Sequence, residues 1–149
     1  MNVMIVCNIM IRGGVDVFVN QLVDVAYKNV DNLYVLLDSN DALNGLYFKL
    51  KKYERISVLR KNISSRNKTS VIRDACKEAF EQYKPDIIHY VGGSVKSGLD
   101  IKEAAILKGI PLFFSEPLIC EEQKFDQHTL DRIKRVYKNC NRVFAMSIG

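Results

Sequence analysis

A chain of 149 residues, 48% apolar and 26% charged, with eight glycines and three prolines, has the make-up of one ordinary globular domain and excludes a disordered or fibrous polymer. The apolar N-terminal stretch MNVMIVCNIM has no basic region ahead of it and meets Arg12 too early for a secretory leader or a membrane span, so a cytoplasmic protein is expected. The net charge of +5 is unevenly placed: residues 49–73 hold nine Lys and Arg against Glu54 alone, on an otherwise slightly acidic body, which points to an anionic surface and not to nucleic acid as partner.

The first strand pattern, NVMIV at 2–6, is followed by Arg12-Gly13-Gly14 and then at once by a helical stripe of Val15, Phe18, Val19, Leu22, Val23 and Ala26. The two glycines either let a ligand phosphate approach bare backbone at the positive end of that helix or make a tight turn, with Asp16 favourable in the first helical turn. G-x-G-x-x-G is absent. A second strand, LYVLL at 33–37, leads through DSND to NGLYFKLKKYER, where Leu43, Leu46, Tyr47, Leu50 and Tyr53 fall at helical spacing among basic residues. That segment reads either as a crossover helix with its stripe in the core, or as an amphipathic surface in which Lys49, Lys51, Lys52 and Arg55 meet an anionic membrane.

A third strand, ISVLR at 56–60, precedes a helix with Val71, Ala75, Ala79 and Phe80 on one face, ended by Pro85. DIIHYV at 86–91 is the fourth strand and runs into the loop GGSVKSG. Lys96-Ser97 there is not a P-loop, because Val95 stands where that motif needs glycine. His89 lies within the strand, as a hydrogen-bonded core residue or as a catalyst. Ile101, Ala104, Ala105 and Leu107 mark the next helix, with Gly109 as its C-terminal stop. The fifth strand, PLFFS at 111–115, ends at Glu116, which is either solvated or placed to orient a sugar hydroxyl or act as a base, with Glu121 and Glu122 beyond it. A stripe of Leu130, Ile133, Val136 and Tyr137 and the strand RVFAMS at 142–147 close the series.

Strands that are near-continuously apolar and alternate with helices predict an α/β fold, a Rossmann-like doubly wound parallel sheet over residues 1–149. Ligands bind such sheets outside the carboxyl ends of the strands, so the loops after each strand carry the function. The four cysteines, Cys7, Cys76, Cys120 and Cys140, are far apart and read as buried free thiols; no metal is implied.

Taken in order, GGVDVFVNQL, KPDIIHYVGG, AAILKGIPLFFSEP and YKNCNRVFAMSIG resemble the N-terminal, acceptor-side domain of a retaining GT-B glycosyltransferase of the large family that builds polysaccharides and glycolipids. In place of that family's frequent H-x-H, the fourth strand here reads His89-Tyr90-Val91. The resemblance implies a nucleotide-sugar donor with its diphosphate against Gly13 and Gly14, and a saccharide or lipid-linked acceptor near Gly92, Gly93 and Ser94. It implies His89 and Glu116 as catalytic candidates, and no cofactor apart from the donor. It also implies a second, donor-binding domain of similar size that these residues do not contain, so the chain alone is expected to be inactive. An enzyme of this kind is expected in the cytoplasm, peripheral on the inner face of the plasma membrane. Two rivals are a non-catalytic flavodoxin-like nucleotide-binding or regulatory module, and a scaffold docking on membranes through residues 44–73.

Overall fold

A computed structural model describes residues 1–10, 13–117 and 124–146. Arg12, Cys120, Glu121, Glu122 and residues 147–149, all singled out above, lie outside the described residues. The strands are β1 (Asn2–Cys7), β2 (Asn32–Asp38), β3 (Ile56–Lys61), β4 (Ile87–Val91), β5 (Leu112–Pro117) and β6 (Arg142–Met146). The helices are α1 (Gly14–Tyr27), α2 (Asn44–Leu50), α3 (Thr69–Tyr83), α4 (Leu99–Leu107) and α5 (Gln127–Asn139), with one 3-10 turn at Asp41–Leu43 before α2. All pairings are parallel, in the order β3-β2-β1-β4-β5-β6, which is the Rossmann-like sheet expected from the sequence.

Pairing a parallel sheet on both faces splits the core in two. Met4, Val6, Ile88, Tyr90, Leu112 and Phe114 point to the side covered by α3, α4 and α5. Ile5, Cys7, Leu33, Val35, Leu37 and Val91 point to the side of α1 and α2. The alternation is why the strands read as apolar runs: in the central strands most residues are buried, on one face or the other. α1 lays Val19 and Val23 on the sheet, and α2 lays Leu46 and Leu50 there, with Leu43 of the 3-10 turn. The stripe on residues 43–53 is therefore core, as in the crossover-helix reading, and it does not present an apolar face to solvent.

Two helix stripes differ in phase from the sequence reading. In α3 the buried residues are Ile72, Cys76, Ala79 and Phe80, while Val71 is 40% exposed; Ile72 and Cys76 share the helical spacing and carry more apolar bulk than Val71 and Ala75, so the buried face is turned by one residue. Leu107, in the last turn of α4, is 77% exposed. The chain punctuation is as read: Gly109 takes φ 73 just past α4, and Pro85 follows Lys84, which ends α3 at φ 45 and donates its N–H to Phe80 O. Cys7 and Cys76 are buried thiols whose pKa burial pushes up to about 12, whereas Cys140 is only half-buried.

Candidate functional site

The chain leaves β1 and β4 side by side and then departs in opposite directions, so their carboxyl ends form the switch point of the sheet. The loop after β1 begins at Asn8 and the loop after β4 at Gly92. Asn8 is nearly buried and knits three strand ends together. Its Oδ1 accepts a hydrogen bond from Tyr90 Oη at 2.5 Å, and its Nδ2 donates to Ile63 O, just past β3, at 2.9 Å. Tyr90 is wholly buried, and burial holds its phenol well above the ordinary range, so it stays a donor.

Above this linkage lies an open cavity of about 390 Å³, lined by Asn8, Met10, Val15, Ser65, Gly93 and Ser94 among others. Ser94 and Ser97 share a hydrogen bond of 2.9 Å across the loop. A second, more polar cavity of about 530 Å³ adjoins it over β2 and β3, with Met10 on the border of both. Its floor is Asp38, 2% exposed, whose Oδ1 accepts from the N–H groups of Ile63 (2.9 Å) and Ser64 (2.7 Å). The other oxygen accepts from Asn40 N (2.9 Å) and Nδ2 (2.7 Å).

The sequence candidates separate on this geometry. Gly93 and Ser94 line the first cavity. Gly92 does not: a Cβ there would stand 2.7 Å from Tyr90 Cε1, and one at Gly98 would stand 2.3 Å from Tyr90 Cζ. Gly98 also has φ 63. These two glycines are bare because the Tyr90 ring lies under the loop. Gly13 and Gly14 are different, since a Cβ at either would meet nothing within 4 Å. Neither lines the two cavities, and Gly13 N–H donates to Asp16 Oδ1 at 3.2 Å, so a carboxylate already sits at the amino end of α1.

His89 and Glu116 are brought neither to the cavity nor to each other. His89 is on the α1 side of the sheet, hydrogen-bonded through Nε2 to Ser115 Oγ at 2.8 Å and stacked on Phe144 at 5.8 Å. Burial lowers its pKa to about 4, so it is neutral at pH 7. Glu116 is within β5, 3% exposed, on the opposite side of the sheet; it is neither solvated nor at a cleft edge. Lys102 Nζ donates to its Oε1, and Tyr137 Oη donates to its Oε2 at 2.5 Å. Lys102 is itself fully buried, its ammonium 4.2 Å from the centroid of the Phe114 ring and 5.1 Å from that of Tyr90. Desolvation lowers the lysine pKa while Glu116 opposes that change. Neither side chain lines the first cavity; each is held by hydrogen bonds beside the sheet. Among the described residues no group of three or more His, Cys, Asp and Glu could hold a metal ion.

Asn8 and Tyr90 are the site residues that sequence reading missed. The available signal was a lone polar residue directly after the apolar run of β1, at a switch point that topology alone makes important.

No protein-family model and no curated protein matches the sequence. Solved structures do match in fold. UDP-GlcNAc 2-epimerase from Methanocaldococcus jannaschii superposes with TM-score 0.68 at 13% identity, over 97% of this chain and 39% of that one. MurG of Acinetobacter baumannii gives 0.61 at 17% identity, over 97% and 40%. Anabaena Alr3699/HepE, solved in complex with UDP, gives 0.65 at 17% identity, over 96% and 37%. At these identities the likeness is one of fold: the chain has the Rossmann-like architecture of one half of a GT-B structure. It spans about two fifths of the length of these structures.

Proposed function

We propose that this chain is the acceptor-side half of a retaining glycosyltransferase, an enzyme that moves a sugar from a nucleotide-sugar donor to a saccharide or lipid-linked acceptor in cell-surface polysaccharide or glycolipid synthesis. The observation that carries the reading is the cavity at the β1/β4 switch point, where Asn8, Ser65, Ser94 and Ser97 stand beside the apolar Ile9, Met10 and Val15, with unobstructed backbone at Gly93. Fold likeness to sugar-nucleotide enzymes, one holding UDP, supports it. In this reading Asn8, Ser65 and Ser94 hydrogen-bond acceptor hydroxyls, and the backbone at Gly13 and Gly14 approaches the donor diphosphate. A second domain of the same protein holds the nucleotide, and closure of the two halves excludes water that would hydrolyse the donor. The work is done in the cytoplasm, at the inner face of the plasma membrane, and these residues alone do not turn over substrate.

Calorimetry and amide-shift NMR of the chain with UDP-sugars and with neutral oligosaccharides test this. Donor affinity is expected to be feeble, about 1 mM or weaker, with oligosaccharide-induced shifts confined to Asn8, Ser65 and residues 93–97. Tight, specific nucleotide binding by this chain alone would instead identify a self-sufficient nucleotide module.

A further inference from the structure

The basic segment 49–73 is not one surface. β3 carries the chain from one end of the sheet to the other, so Lys49, Lys51, Lys52 and Arg55 precede it while Lys61 ends it and Arg66, Lys68 and Arg73 follow it. The second group is partly neutralised, Lys61 by Glu78 and Arg73 by Glu103. In the first group no residue forms an ion pair among the described residues, and the acid within this stretch is Glu54. All four cations are exposed.

Beside them stands Phe48, 66% exposed. Its ring packs edge-on against Tyr47 at 5.5 Å, and the Tyr47 ring carries Arg60 at 5.2 Å from its centroid and Lys51 Nζ at 5.5 Å. Arg55 is similarly seated over Tyr27 at 4.9 Å. The half-buried tyrosines and the buried Leu46 and Leu50 anchor this corner, so Phe48 is projected outward from a fixed base. An exposed aromatic ring among unneutralised cations matches an anionic bilayer on two counts: charge toward the headgroups and a ring that gains by leaving water. A soluble polyanion would use the charges and leave the ring idle.

We infer that this corner of α2 docks on anionic lipid, with Phe48 as the inserted side chain and Lys49, Lys51, Lys52 and Arg55 as its headgroup contacts. The buried stripe of α2 takes no part, and sugar transfer is not needed for docking.

The chain has no tryptophan, so Phe48→Trp provides a single fluorescent reporter. Vesicles of phosphatidylcholine mixed with phosphatidylglycerol should sediment the protein and shift the indole emission to the blue, whereas phosphatidylcholine alone should do neither. Binding should fade as salt shortens the screening length, about 3 Å at 1 M. Lys49→Gln, Lys51→Gln and Lys52→Gln combined should weaken binding by about 100-fold, at roughly fivefold per lysine. Phe48→Ala should weaken it about tenfold. Since these side chains are exposed, circular dichroism should show every variant folded. Sedimentation with an unmoved indole spectrum, equal binding to heparin and vesicles, or equal binding to neutral lipid would each overturn the inference, as would no binding at all.

Discussion

The two glycine loops at the carboxyl edge of the sheet are alike in sequence and opposite in cause. After β4, Gly92 and Gly98 are bare because the Tyr90 ring fills the space a side chain would need, so the loop is shaped from inside. After β1, Gly13 and Gly14 border empty space, so nothing in the described fold demands them. A glycine pair therefore carries functional weight only after internal packing has been ruled out as its reason. By that test the first loop retains its claim on a ligand, while in the second loop Gly93, Ser94, Ser97 and Gly98 line the cavity and, of its glycines there, Gly93 alone is free of the Tyr90 ring.

The largest effect that would sharpen this contrast is at Gly98. Gly98→Ala adds a clash with Tyr90 to a left-handed backbone, and should cost about 3–5 kcal/mol in urea unfolding. In a Tyr90→Ala background the same change should cost at least ~1 kcal/mol less, because the two residues share one space. Additive costs would separate the loop from the ring. Next, Tyr90→Phe leaves Asn8 Oδ1 without its donor and should cost about 1–2 kcal/mol. A milder effect comes from pH. Because burial depresses the His89 pKa to about 4, below its unfolded value, its contribution is fully present above about pH 6.5 and is lost as the pH falls through 4. Wild type should lose on the order of 2 kcal/mol more than His89→Gln between pH 7 and 4, after allowing for partial exposure. The smallest effect belongs to the first loop: Gly14→Ala should leave stability unchanged or raise it by up to ~1 kcal/mol, while weakening any response to UDP-sugar. A loss above about 2 kcal/mol would show an internal constraint there and dissolve the contrast.

What was legible in the sequence was what depends on period and order. Continuous apolar strands and alternating helices gave the doubly wound sheet and the strand ends where a ligand would bind, whereas the strand order that makes β1 and β4 the switch point comes from the structure. Contacts between residues far apart in the chain left no such trace. Lys102 reads as one more solvated helix lysine, and only the fold reveals that it reaches Glu116 in the core, which removes that carboxylate from the cleft. Tyr90 reads as one apolar strand residue among several, yet it dictates Gly92, Gly98 and the setting of Asn8. The buried stripe of α3, Ile72, Cys76, Ala79 and Phe80, is itself at helical spacing; Val71 and Ala75 offer an overlapping apolar stripe one residue earlier, and the fold buries the bulkier set.

Asp38 gathers four amide donors from two separate loops onto one buried carboxylate. The consequence lies in time as much as in shape. Backbone N–H groups just past a strand ordinarily exchange with solvent as fast as their loop opens. At Asn40, Ile63 and Ser64 the exchange must wait until a buried charge has lost its partners, an event tied to opening of the sheet itself. The rim of the polar cavity is thus set to the slow clock of the core.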